Sequence, residues 1–288
     1  MRREPMKAEI AITLLGKFAA RRGSKAILEH AGRKVQELIA FVLLHPNRQH
    51  RRETVASVLW PESDREQSLK NLRQTLWLLH REFPFDPKAD ALLSQEGEWL
   101  GIGSLLGVWV DAIMFEGAYQ KGIAGIKGEE PFASAVKLYR GSLLEGWYSP
   151  WCATERERFR EMYFSLLGKL MRYHEERKEY DLAISYGILA LQQDPAREVV
   201  HRTLMKLRYL TGDRTGALRQ FDLCRESLKR ELDVEPAEET VALREEIRND
   251  RRGSIQAATG LFVTARIACL PRGSSVRALS APGRNAES

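Results

Sequence analysis

Cysteine is scarce in this sequence: Cys152, Cys224 and Cys269 are the three among 288 residues. An odd number, widely spaced and without histidines in a metal-ligand pattern, excludes a disulfide-stapled scaffold and a zinc finger. The three read as reduced, structural thiols. Long apolar runs are missing too. The opening stretch MRREPMKAEIAITLLGKF has charge but no extended apolar segment with a small-residue cleavage site. No later run reaches the roughly 20 residues that cross a bilayer. The expected compartment is the cytoplasm, with no membrane partner. The strings that mark common chemistries are also absent: there is no G-x-x-x-x-G-K-[ST] phosphate loop, no G-x-S-x-G elbow and no H-E-x-x-H. His45 and His50 have no further ligands beside them, and the many carboxylates fall where helical charge pairs account for them. No catalytic residue, metal or cofactor is expected, and an enzyme is the disfavoured class.

What is present fits a globular protein, with 43% hydrophobic and 29% charged residues in a length that holds two ordinary domains. The net charge of +6 is unevenly spread: residues 1–110 carry +4, residues 111–250 carry −3 and residues 251–288 carry +5. Only the two ends are electrostatically suited to phosphate.

In the N-terminal third, Ile10, Ile12 and Leu14 alternate with other residues, and a basic Arg21-Arg22-Gly23-Ser24 turn leads into Ala26-Ile27-Leu28, which predicts a small β-hairpin. Val35, Leu38, Ile39 and Val42 then mark a helix that ends at His45-Pro46-Asn47. A short second helix, roughly Glu53 to Leu59, is stopped by Trp60-Pro61. Ser63 and Glu66 read as a capping box opening a third helix that runs to about Phe83. Leu69, Leu72, Leu76, Leu79 and Phe83 form its core stripe, and the opposite face carries Gln67, Lys70, Asn71, Gln74 and Arg81. After the Phe85-Asp86-Pro87 break, the run Leu92 to Leu100 predicts a second hairpin with a polar, Gly-containing tip. Strands, three helices and a closing hairpin make the order of a winged helix, whose third helix enters the major groove. These residues hold a complete apolar set and are expected to fold alone.

Beyond Val110 the sequence is helical almost throughout. Thr154 and Glu157 read as another capping box before a strongly amphipathic helix. Tyr180-Asp181-Leu182-Ala183-Ile184 and Arg214-Thr215-Gly216-Ala217-Leu218 are offset by 34 residues, the tetratricopeptide period. Asp194-Pro195 recurs as Glu235-Pro236 at an offset of 41, which a helix longer by seven residues would explain. Residues 251–288, rich in Gly, Ser, Ala, Pro and Arg, read as a basic, poorly ordered tail. The fold class is therefore mainly α: a winged helix over 1–110, then an all-α tetratricopeptide-like domain over 111–250.

Taken together, several strings resemble the bacterial antibiotic-regulatory (SARP-type) activators. They are Leu43-Leu44-His45-Pro46-Asn47-Arg48, Leu59-Trp60-Pro61 and Asn71-Leu72-Arg73 in the first half. In the second they are Leu138-Tyr139-Arg140-Gly141, Asp194-Pro195 with Glu198, and the run from Glu231-Leu232 through Glu235-Pro236 to Thr240. The similarity covers roughly Ile10 to Arg248, and it rests on order and spacing rather than on any one string. It implies a winged helix that binds direct repeats in double-stranded promoter DNA. It also implies a helical bacterial transcriptional activation domain that supports a homodimer on DNA and contact with RNA polymerase.

Within that frame Gln67, Lys70, Asn71, Gln74 and Arg81 are candidate base readers, since amides pair with adenine and cations with guanine. Gln74 projects within about 15° of the direction opposite the core stripe and should reach furthest. Arg48, Arg51 and Arg52 suit phosphate contacts that carry no sequence preference. Trp77, at the flank, is expected to pack against a neighbouring helix or sheet. The bland alternative makes these residues a solvated helix face and the chain a tetratricopeptide-like interaction scaffold without specific DNA binding.

Overall fold

The computed structural model describes residues 9–82, 92–123 and 129–250. Phe83, the Phe85-Asp86-Pro87 break, Cys269 and the basic tail lie outside them. The chain opens with strands β1 (Ile10–Thr13), β2 (Ala19–Arg22) and β3 (Lys25–Ile27), followed by helix α1 (Arg33–Leu43). The basic pair Arg21 and Arg22 belongs to β2 rather than to the turn, which falls on Gly23 and Ser24. A two-residue strand β4 (His50–Arg51) leads directly into α2 (Arg52–Leu59) and then α3 (Arg65–Glu82). The second hairpin is β5 (Leu93–Glu96) and β6 (Trp99–Ile102). Strand β7 (Val108–Val110) then returns to the first sheet. Ten helices lie among the described residues, the rest being α4 (Asp111–Ile123), α5 (Glu130–Leu138), α6 (Pro150–Glu176), α7 (Tyr180–Gln193), α8 (Glu198–Leu210), α9 (Arg214–Leu232) and α10 (Glu238–Arg248). The fold is mainly α, a winged helix continued by helical hairpins.

Helix starts depart from the sequence reading in two places. Helix α3 is capped by Asp64, not Ser63: the Asp64 carboxylate accepts the Gln67 N–H at 2.8 Å. Ser63 instead sends its own N–H back to the Trp60 carbonyl at 3.1 Å, closing the turn that Pro61 begins. The cap thus lies one residue later than Ser63, with no reciprocal bond from Gln67, whose side chain turns to Asn71, and Leu72, Leu76 and Leu79 lie on the buried side. Helix α6 begins at Pro150, four residues before Thr154, so the Thr154–Glu157 box does not exist. Proline at the first position needs no N–H and presets the backbone for the helix.

The repeat offset also has a different origin from the one expected. Helix α7 has 14 residues and α9 has 19, five more rather than seven. Asp233, in the left-handed conformation at φ 55°, ends α9, and the linker before Pro236 supplies the remainder. Ala183 and Ala217 are fully buried, and a side chain at Gly187 would collide with Leu204 at 2.6 Å, so α7 needs this small stripe to sit against its neighbours.

The two halves share one apolar core. Strands β3, β2, β1 and β7 form a sheet in that order, with β7 running parallel to β1 and delivering the chain to α4. Asp111, the first residue of α4, accepts the backbone N–H groups of Leu14 at 2.7 Å and Leu15 at 3.0 Å. On the far side Leu144 donates to the Leu14 carbonyl and Glu145 to the Gly16 carbonyl, each at 2.8 Å. A continuous buried cluster runs from Ile10 through Phe115 and Phe159 to Ala190. The apolar set of the first 110 residues is therefore continuous with that of the helices that follow.

Candidate nucleic-acid interface

Helix α3 packs through Ser68, Leu72, Thr75, Leu76 and Leu79, and contacts α1 and α2. That burial turns the opposite side outward, so Gln67, Lys70, Gln74 and Arg81 are all exposed and Asn71 is half-buried. The spacing of these residues, three and four apart, stacks them as one ridge. Gln67 donates to the Asn71 side-chain oxygen at 2.8 Å, so these two amides are held as a pair. Arg81 pairs with Glu82 at 2.9 Å, and its guanidinium lies 5.0 Å from the centre of the Trp77 ring. Trp77 is not packed against another element: it is 60% exposed and belongs to the ridge, because the buried stripe of α3 is filled by the three leucines on the far side.

The candidate phosphate residues divide. Arg48 and Arg51 are exposed, at and just beyond the loop leading into β4. Arg52 is half-buried at the start of α2, and one of its terminal nitrogens donates to Gln95 Oε1 at 2.8 Å, while its Nε is buried without a partner. Arg52 is therefore tied to the hairpin. The Gln95 amide nitrogen also meets His80 Nε2 at 2.9 Å, so one side chain of β5 joins α2 to the C-terminal end of α3. Sequence reasoning missed Gln95, because the pairing that brings it there depends on β4, a strand of two residues.

Strand β4 pairs with β6, placing His50 opposite Leu100 and Arg51 opposite Trp99. The hairpin of β5 and β6 turns on Gly97 and Glu98. Gly97 has φ 57°, the left-handed backbone that the first position of a tight hairpin turn requires. One face of this sheet is core, through Leu93 and Leu100, and the other carries Arg51, Trp99 and Glu96, all exposed. Arg52 also sends its backbone N–H to the Glu98 carbonyl at 2.8 Å, so the hairpin tip sits over the start of α2.

Behind the ridge, α1 meets α6. His45 faces Glu155 at 3.4 Å, and the Phe41 ring lies 5.5 Å from that of Trp151. The Glu37 carboxylate accepts from Lys34 at 2.8 Å and from the Ser149 hydroxyl at 3.0 Å. In the helical half Glu198, at the start of α8, accepts from the Ala237 N–H at 2.7 Å and from the Thr240 hydroxyl at 2.5 Å, capping α10. Among the described residues no three His, Cys, Asp or Glu side chains are grouped to hold a metal ion, and no helix is long and apolar enough to cross a membrane.

Comparison with known proteins bears on both halves. No curated protein matches the chain. A solved structure of Mycobacterium tuberculosis EmbR, in complex with a low-affinity phosphopeptide, matches with a TM-score of 0.67 at 15% identity, over 87% of this chain and 69% of that one. That likeness is one of fold. The family model of the bacterial transcriptional activator domain matches residues 110–248, from the last residue of β7 to the end of α10. Residues 110–248 are thus similar to a bacterial transcriptional activator domain, and the chain shares its fold with EmbR.

Proposed function

We propose that this protein is a SARP-type transcriptional activator that reads double-stranded promoter DNA through α3 and acts by binding, not by chemistry, in the cytoplasm. Residues 1–110 serve as the reader, residues 111–250 as the activation domain, and the basic residues 251–288 as an accessory tail. The observation that carries the reading is the α3 ridge: Gln67, Lys70, Gln74 and Arg81 face outward from a helix whose other side is core. Such a helix can enter the major groove, amides and cations meeting base edges, while Arg48 and Arg51 reach phosphates alongside. Two copies side by side would occupy direct repeats, with the helical halves contacting each other and RNA polymerase.

The test is selection of bound duplexes from a random-sequence library by the full chain, followed by affinity across a salt series. Enrichment of a repeated motif, with binding that weakens steeply as salt rises, is the expected result. A chain that retains no duplex even at low salt is instead the interaction scaffold.

A further inference from the structure

Trp77 is the one residue of the α3 ridge whose chemistry the roles assigned to amides and cations leave unused. Lys70, Gln74, Trp77 and Arg81 follow one another at helical spacing, so the indole stands between an amide and a guanidinium on the same stripe. Its ring is 60% exposed although three leucines of the same helix are buried, and the Arg81 guanidinium 5.0 Å from the ring centre restrains it where it is. Arg81 is in turn oriented by Glu82 at 2.9 Å. The exposed charges around the indole include Lys70, Arg73 and Arg81, a setting that suits a polyanion better than an apolar protein surface.

On the edges of bases in the major groove the apolar group is the C5 methyl of thymine. We infer that Trp77 is a specificity residue that recognises a thymine by packing on this methyl, beside the base read by Gln74 or Arg81. This rests on the reading of α3 as the groove-binding helix. It adds a 5-methylpyrimidine requirement that the polar residues of the ridge cannot impose, because an amide or guanidinium bonds to base-edge donors and acceptors that methyl removal leaves in place.

The experiment uses the full chain, as wild type and as Trp77→Gln and Trp77→Ala, with duplexes recovered by wild type from a random library. Each thymine is replaced in turn by deoxyuridine, which removes the methyl and nothing else. In each half-site one replacement is expected to weaken wild-type binding about fourfold, the factor that burial of a single methyl group carries. Both Trp77 variants are expected to bind the thymine and deoxyuridine duplexes equally. The inference is overturned if every replacement is neutral for wild type, or if the variants show the same fourfold loss. Failure to recover any enriched duplex would remove the groove-binding reading and this inference with it, whereas enriched duplexes insensitive to methyl removal would remove this inference alone.

Discussion

The Asp111 carboxylate accepts the Leu14 N–H at 2.7 Å, joining residues 97 positions apart at the junction of β1 and α4. Burial raises the pKa of Asp111, while the N–H groups of Leu14, Leu15 and Ala112 pull the other way. With its folded value above the unfolded one, the group binds its proton more tightly when folded and does not drive acid unfolding. Its contribution is to supply acceptors. Asp111→Ala leaves the Leu14 and Leu15 N–H groups unpaired in a dry site and is expected to cost about 3 kcal/mol. Urea unfolding followed by both tryptophan fluorescence and circular dichroism checks this. An unchanged midpoint would show that the clamp is dispensable.

His50 sets a pH dependence of the opposite kind. It is buried with its ring 5.0 Å from that of Phe41, and burial, then the charges of His45 and Arg48, lower its pKa from 6.5 to about 4. Between those values the unfolded chain binds the proton more readily, so stability falls as pH drops through this window, by about 2 kcal/mol at pH 5. His45 works the other way. Burial opposes its charge, but the hydrogen bonds to Glu155 and the Phe41 carbonyl prevail and raise its pKa, so its contribution is present in acid and is lost as pH rises through the folded value. His50→Leu is expected to lose less stability than wild type between pH 6.5 and pH 5. Parallel profiles in urea titrations at several pH values would contradict a neutral, buried His50.

The ridge and the loop beside it should divide the work of binding. Gln74→Ala is expected to lower affinity for a selected duplex by about 1 to 3 kcal/mol and to blur preference at one position. Arg51→Ala should weaken selected and scrambled duplexes alike and make the salt slope shallower by roughly one unit. Affinities of each variant on both duplexes across a salt series decide this. Equal losses for Gln74→Ala on the two, or a loss for Arg51→Ala confined to the selected one, would reverse the assignments.

Gln95 is the link between Arg52 and His80. Gln95→Ala removes both contacts at a half-buried site, and the cost in stability should stay at about 1 kcal/mol. Its effect on DNA should be larger and uniform, because the hairpin loses its tie to α2 and α3 and all duplexes bind more weakly by one factor. Hydrogen exchange at the amides of β5 and β6 should rise in the same variant. Unchanged affinity with faster exchange would mean that hairpin position does not matter for binding.

Periodicity and proline made the larger elements legible in the sequence: α1, α2 and α3 fall where Val35 to Val42, the Trp60-Pro61 stop and the leucine stripe put them. The Asp194-Pro195 and Glu235-Pro236 strings mark real helix breaks, and Glu198 and Thr240, quoted from separate strings, meet in one hydrogen bond. What remained hidden depends on partners distant in the chain. Strands of two or three residues such as β4 and β7 have no period to detect. Asp111 and Gln95 matter through acceptors and donors that only the tertiary fold brings near. The exposure of Trp77 could not be read from composition, since a helical projection locates a face but not what covers its edge.

The parallel pairing of β7 with β1 and the Asp111 clamp tie the first sheet to the start of the helices that follow. On DNA such a molecule would act as a fixed bracket: wherever α3 settles in the groove, the activator domain projects at one angle about the duplex axis. Moving a binding site by five base pairs, about half a helical turn, would then swing that domain to the opposite side of the double helix, and only a further half turn would bring it back. Promoter output would depend on rotational phase as much as on distance, a dependence that a loosely tethered activation domain would not impose.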